Sequence, residues 1–218
     1  MNAHHHSATA RNLALILMSG AALAACATPH PRLASKLSDG AMSGPPSGAG
    51  GRYKVGAPYQ IKGLLFTPRD EPGYDRQGIA SWYGPDFHGR KTANGEVYDM
   101  NALTAAHPTL PIPSYAQVTN LATGRTLLVR INDRGPYAHD RIIDMSRQSA
   151  RLLGFHDQGT TRVRVAYVGP APLDGNEARE QRFLAAQGWY RRAYALGGAG
   201  GDAAAMKPRT MAAGGPRP

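Results

Sequence analysis

Cysteine is nearly absent from this chain. Cys26 is the only one in 218 residues, so no intramolecular disulfide can form and the fold must stand on its core. Acidic residues are scarce as well: 15 Asp and Glu stand against 25 Lys and Arg, a formal net charge of +10. A chain this basic suits an anionic partner, whether nucleic acid, a membrane surface or a carboxylate-bearing polymer. There is no Walker loop, no dinucleotide fingerprint, no paired-cysteine motif and no HExxH, so the standard signatures of nucleotide, dinucleotide and zinc chemistry are missing. No ligand pair has a spacing that demands a metal, and the expectation is no metal and no cofactor. No internal repeat stands out. The only long apolar run, Leu13 to Ala25, is shorter than the about 20 residues of a spanning helix.

What is present at the N-terminus sets the compartment. Arg11 precedes the apolar run, which ends in small residues, so residues 1–25 read as a signal peptide. Leu23-Ala24-Ala25-Cys26 resembles a bacterial lipobox. That resemblance implies cleavage before Cys26 and a diacylglycerol on its thiol, giving a lipid anchor, a tether and a soluble domain. A free thiol after an ordinary signal peptide is the competing reading. Ala27 follows the cysteine where an Asp would favour retention, so sorting to the periplasmic face of the outer membrane is expected. Export disfavours nucleic acid as partner. The histidines at positions 4–6 precede the apolar run and carry no metal role.

Glycine and proline are abundant, at 26 and 17 residues, and part of the chain therefore reads as linker. Residues 26–51 form a lipid-anchored flexible tether rich in Ala, Ser, Gly and Pro. Residues 52–77 carry more apolar side chains, broken by Pro58, Pro68 and Pro72. They read as an extended arm with one short strand at 60–66, packed on the domain that follows. Residues 78–169 hold the alternating patterns of strands, at 79–83, 115–119, 126–131, 142–143 and 162–168. Asn94-Gly95 marks a tight turn. Ser146 suits a helix N-cap, with Ala150, Leu152 and Leu153 on the buried side and Gly154 at the end. Six or so short strands with one or two short helices point to a mainly β fold, a small closed barrel. Residues 170–196 carry a helical pattern with a basic face, and 197–218 read as a disordered tail.

The chemically capable residues of the domain are Glu96, Asp99, Asp133, Asp140, Asp144, His88, His107, His139 and His156. Asp133 and Asp144 stand out because each closes an apolar strand, where a rigid scaffold presents side chains. Each also has a bland reading. Asp133 can accept hydrogen bonds from the turn it begins, and Asp144 can cap the helix behind it. Glu96 at a turn tip is ordinarily a solvated charge, and His107 before Pro108 is ordinarily a packed histidine.

The segments GIASWYGPDFHGRKTANGE, LTAAHPTLPIPSYAQVTN, VRINDRGPY and RIIDMSRQSARLLG together resemble the rare lipoprotein A (RlpA) family over Gly78–Gly169. The resemblance implies a six-stranded double-psi β-barrel, similar to expansins, family-45 endoglucanases and the membrane-bound lytic transglycosylase A. It implies a periplasmic outer-membrane lipoprotein whose partner is the glycan strand of peptidoglycan; a monomer is expected. Residues tied to activity in that family lie in a TANGE-like turn, an AAH segment and an NDRGP turn. They correspond here to Glu96, His107 and Asp133. The IIDMS segment is similar to the strand that carries a catalytic aspartate in expansins and endoglucanases, which nominates Asp144. Trp82, Tyr83, Thr92 and Arg134 stand in matching motifs as substrate-binding candidates. Many members continue into a SPOR domain. The 49 residues after Gly169 are too few and too Gly-rich for one, so septal targeting by that route is not expected.

The implied reaction is endolytic lytic transglycosylation between N-acetylmuramic acid and N-acetylglucosamine, leaving 1,6-anhydro ends. It needs a carboxylic acid still protonated near neutral pH. Asp133 and Asp144, if close together, would raise one another's pKa by repulsion. The alternative is an expansin-like lipoprotein that binds glycan without cleaving it.

Overall fold

A computed structural model describes residues 50–138 and 140–196. The signal segment 1–25, Cys26, the tether up to residue 49, His139 and the tail 197–218 lie outside the described residues.

The arm is a hairpin of two short strands, β1 (Tyr59–Ile61) and β2 (Leu64–Phe66). Sequence reasoning expected one strand across 60–66; the turn at Lys62-Gly63 folds it back on itself. The arm is tied down at several points. Lys54 and Ile112 exchange backbone hydrogen bonds, Arg52 donates to the Asn94 carbonyl and Arg69 to that of Thr109. The Tyr59 hydroxyl donates to the Pro108 carbonyl at 2.7 Å. At Gly51 the backbone passes so close to the turn below that a Cβ would sit 2.7 Å from both Asn94 Nδ2 and Glu96 Cγ. Only glycine fits there.

Six strands close into a barrel: β3 (Asp75–Tyr83), β4 (Thr104–Ala106), β5 (Ser114–Asn120), β6 (Thr126–Asp133), β7 (Arg141–Ser146) and β8 (Thr161–Pro170), in the order β3-β7-β4-β6-β5-β8 with β8 returning to β3. The β3/β7 and β4/β6 pairs are parallel and the rest antiparallel. Closure leaves no free edge in the barrel. Two differences from the sequence reading matter. β3 begins at Asp75 rather than Ile79, because Asp75, Arg76, Gln77 and Gly78 pair with β8 and Asp75 forms an ion pair with Arg164. β4 was not anticipated. Its Thr104-Ala105-Ala106 is buried on both faces, so it shows no alternation to read.

The barrel interior is filled by Ala80, Ala105, Val118, Val129, Ile131, Ile143, Met145, Val163 and Val165, all fully buried. On β8 the expected alternation holds, with Val163 and Val165 inward and Arg162 and Arg164 exposed. β6 is different: Leu127, Val129 and Ile131 face the core, yet Leu128 and Arg130 are also buried, because the C-terminal segment covers the outer face. The helix α1 (Arg147–Leu153) begins where expected. Ser146 caps it by accepting from the Ser149 backbone N–H at 3.1 Å, and Gly154 ends it in the left-handed region at φ 82°.

The C-terminal helical segment is two helices rather than one, α2 (Ala178–Ala186) and α3 (Gly188–Leu196). Gln187 between them is extended, with ψ 125°. Leu184 and Tyr190, both buried, are six residues apart, which puts them about 120° apart around one straight helix. The break allows both to be buried.

Ile131→Ala, at the centre of this core, should lower unfolding free energy by about 2–5 kcal/mol. Leu65→Ala on the exposed arm should change it by less than about 0.5 kcal/mol. Urea unfolding followed by circular dichroism distinguishes the two.

Candidate active site

Strand register assembles the site. Ser81 on β3 pairs with Asp144 on β7, Asp144 pairs with Ala106 on β4, and Ala106 pairs with Asp133 on β6. The four residues therefore form one row across four adjacent strands. A register shift between Ala105 and Ala106 makes Asn132 an extra residue on β6, and this brings Asp133 level with Ala106. The two carboxylates flank a methyl group, roughly 10 Å apart at the backbone across two strand spacings. Tyr83, two residues on from Ser81, lies beside the row. Its ring stacks on Tyr98 at 4.2 Å and meets Phe87 edge-on. Burial holds its hydroxyl well above the usual tyrosine range, with further upward pushes from Tyr98, Asp133 and Asp144.

Both aspartates are raised above their ordinary pKa, and burial is the largest cause for each. Asp133 Oδ1 accepts from the backbone N–H groups of Ala93 at 2.9 Å and Arg134 at 2.8 Å; these bonds and the Arg134 charge pull the other way. Asp144 Oδ1 accepts from the Ser81 hydroxyl at 2.5 Å, with Arg141 Nε 3.7 Å away. Neither carboxylate figures among the causes of the other's shift. The expected mutual repulsion is thus replaced by desolvation, because the two groups are separated by a full strand. Asp133 does accept from its own turn, as its bland reading had it. Asp144 does not cap α1; Ser146 does.

Glu96 is not a solvated turn tip. It is fully buried, and its carboxylate accepts from Arg130 Nη2 at 2.6 Å, from Arg130 Nε at 3.0 Å, from Asn94 Nδ2 at 2.7 Å and from Asn132 Nδ2 at 3.0 Å. Thr92 belongs to the same network through its hydroxyl, which donates to Asn94 Oδ1 at 2.8 Å. Arg130 and Asn132 were missed from the sequence. The available signal was a lone arginine inside an apolar strand, which has to find a buried anion.

His107 is also buried, and its ring is engaged by Tyr74 and the loop after β4. Nδ1 accepts from the backbone N–H groups of Leu110 at 3.0 Å and Thr109 at 3.2 Å, and Nε2 lies 2.9 Å from the Tyr74 hydroxyl. Burial, then the Arg134 and Arg76 charges, push its pKa down to about 3, so the ring is neutral. Only its backbone touches the site, donating to the Asp133 carbonyl. Arg134 is occupied by backbone carbonyls, those of Leu110 at 2.5 Å, His107 at 3.2 Å and Val55 at 2.6 Å. Trp82 donates from Nε1 to the His156 carbonyl at 3.0 Å and stacks against the His156 ring. The register thus brings together Asp133, Asp144 and Tyr83, with Ser81 as an unanticipated partner. Glu96, Thr92, His107, Arg134 and Trp82 lie around them with their polar groups engaged elsewhere.

Glu96→Gln leaves the Arg130 guanidinium buried without its counter-charge. It should lower unfolding free energy by about 3–5 kcal/mol, read from the midpoint of a urea titration, before any effect on activity is considered.

Residues 75–165 match the family described as Lytic transglycolase. The chain is similar to proteins named Endolytic peptidoglycan transglycosylase RlpA from Neisseria meningitidis serogroup A (50% identity over 123 residues, 55% of this chain and 52% of that protein), Pseudomonas aeruginosa (47% over 131 residues, 60% and 38%) and Rickettsia felis (46% over 121 residues, 54% and 53%). The chain therefore spans about half, or less, of the length of the curated relatives it matches. The matched segment coincides with the closed barrel and contains the whole aspartate row. Residues 75–165 of this chain, the closed six-stranded barrel, are thus similar to the lytic transglycolase family and to the RlpA proteins.

Proposed function

We propose that this protein is an endolytic lytic transglycosylase that cuts the glycosidic bond between N-acetylmuramic acid and N-acetylglucosamine in peptidoglycan. The observation that carries the reading is the cross-strand row Ser81–Asp144–Ala106–Asp133, with two aspartates raised by burial, inside an RlpA-type barrel. Asp133 is the acid. Its Oδ1 is held by two backbone N–H donors, which leaves Oδ2 to carry a proton to the glycosidic oxygen. As the leaving sugar departs, positive charge develops at C1. Asp144, whose charged form is favoured by the Ser81 hydrogen bond and by Arg141 at 3.7 Å, stabilises that charge. Asp133 then takes the proton from the C6 hydroxyl as O6 attacks C1, which closes the 1,6-anhydro ring without water. Tyr83 lines the sugar site. Glu96, Thr92, His107 and Arg134 act by holding the loops around the row in place.

The compartment belongs to the same proposal. Cys26 anchors the chain by lipid at the periplasmic face of the outer membrane, the tether lets the barrel reach the wall, and the protein works as a monomer. Support comes from the signal-like run before Cys26 and from a barrel with no free strand edge for a second copy to pair with.

Asp133→Asn should lower turnover on purified sacculi by about 10²–10⁴-fold, and Asp144→Asn by about 10²-fold. Mass spectrometry of released muropeptides reads both through 1,6-anhydro ends. If both variants keep full activity, the assignment is wrong; if the wild type binds sacculi yet produces no anhydro ends, the protein is a binding module. Because the acid must be protonated, activity should fall as pH rises through the elevated pKa of Asp133. Cys26→Ala should move the protein from the membrane fraction to the soluble periplasm, followed by immunoblotting of fractions. Continued membrane association would rule out the anchor.

A further inference from the structure

Beside the aspartate row, between the arm and the barrel, lies a cavity of about 370 Å³ that the reaction as described does not use. Its lining includes Arg69, Arg76 and Arg141 against a single acid, Glu71, with Tyr74 and His107 among the lining residues. Glu71 is bonded to both Arg69 and Arg76. Arg141 is not engaged by Glu71; its carboxylate neighbour is Asp144, an ion pair at 3.7 Å. The Arg141 Nε is buried and has no hydrogen-bond partner, and that separation is beyond hydrogen-bonding distance of Asp144 Oδ1.

A second donor is aimed by the histidine. His107 Nδ1 already accepts two backbone N–H groups, so the ring proton must sit on Nε2, which donates to the Tyr74 oxygen. The Tyr74 hydroxyl is thereby left to donate its own hydrogen, and none of the described residues accepts it. Arg76 lies over the face of the same tyrosine, 5.4 Å from the ring centre. A buried guanidinium N–H without an acceptor and a hydroxyl forced to be a donor, in a cavity rich in positive charge, call for an anion with acceptor oxygens.

We propose that this cavity is a carboxylate-binding subsite, with Arg141 as the specificity-determining residue and His107 as a positioning residue that orients Tyr74. The inference rests on the peptidoglycan reading above, because the carboxylate is one carried by the wall polymer. It comes either from the lactyl group of a muramic acid stripped of peptide or from a stem peptide. Arg141 lies beside Asp144, so a carboxylate held there would fix the register of the strand against the aspartate row.

Binding of the full chain to glycan strands tests this, in an Asp133→Asn background to suppress turnover. The probes are amidase-stripped strands with free lactyl carboxylates, the same strands with those groups converted to N-methylamides, and intact sacculi with and without the same amidation of stem-peptide carboxylates. Neutralisation should weaken binding by about tenfold in whichever pair carries the recognised group, and that pair identifies the source. Arg141→Gln should bind the charged probe about tenfold more weakly and lose the discrimination. Arg151→Gln, which removes an equal charge from an exposed site on α1, should retain it. Equal binding of charged and neutral probes in both pairs overturns the proposal, and so does an Arg151→Gln loss as large as that of Arg141→Gln. Anhydro products without any carboxylate dependence refute the subsite alone. Carboxylate-dependent binding by a wild type that yields no anhydro ends refutes the transglycosylase reading alone.

Discussion

The buried Arg130–Glu96 pair holds together the parts on which everything else depends. Arg130 projects from the middle of β6, and its Nη2 reaches Glu96 on one side and the Pro172 carbonyl on the other. One guanidinium therefore joins the barrel wall, the turn at 92–96 and the start of the C-terminal segment. The arm closes over the same point, because only the absence of a side chain at Gly51 lets it lie against Asn94 and Glu96. Two charges taken out of water are a stability cost unless every lone pair and proton is matched. Asn94 and Asn132 supply the remaining donors to the carboxylate, while on the guanidinium side Arg130 Nη1 stays buried without a hydrogen-bond partner among the described residues.

This network reaches the chemistry through the backbone. The turn that Glu96 anchors also carries Ala93, whose N–H is one of the two donors to Asp133 Oδ1. The other comes from Arg134, whose side chain is fastened to carbonyls of the arm and of the loop after β4. His107 donates its own backbone N–H to the Asp133 carbonyl. Residues that sequence resemblance places together as activity-linked are thus joined mechanically, around one carboxylate, while only the aspartates present acidic groups. In the reaction proposed above, changes at Glu96 or His107 would act by displacing Asp133.

The two aspartates owe their raised pKa to burial, and their separation keeps them independent. A dyad in contact would titrate as a coupled pair. Here Ala106 stands between them, and each carboxylate has its own set of partners, backbone N–H groups for Asp133 and a hydroxyl and a guanidinium for Asp144. Different environments allow different roles for two groups of the same type. The neighbouring cavity sets three arginines, Arg69, Arg76 and Arg141, against one acid, Glu71.

Much of this was legible in the chain. Alternation on β8, the apolar run of β6, the Ser146 cap and the Gly154 stop are local patterns, and local patterns survive into the fold because each is set by backbone geometry over a few residues. The strand end at Asp133 was legible for the same reason, whereas β7 runs past Asp144 to Ser146. What lay beyond the sequence was pairing. β4 is too short and too uniformly buried to show a period, yet it is the strand that sets the two aspartates apart. The extra residue at Asn132 decides which side chains share a row, and a register shift has no signature in composition. Burial from a distant segment made Glu96 a structural anion, split the C-terminal helix at Gln187, and turned His107 toward Tyr74. The sequence by itself determined the strands, the caps and the types of chemical group at hand. Only the tertiary structure decided which groups meet, because register and desolvation arise between residues far apart in the chain.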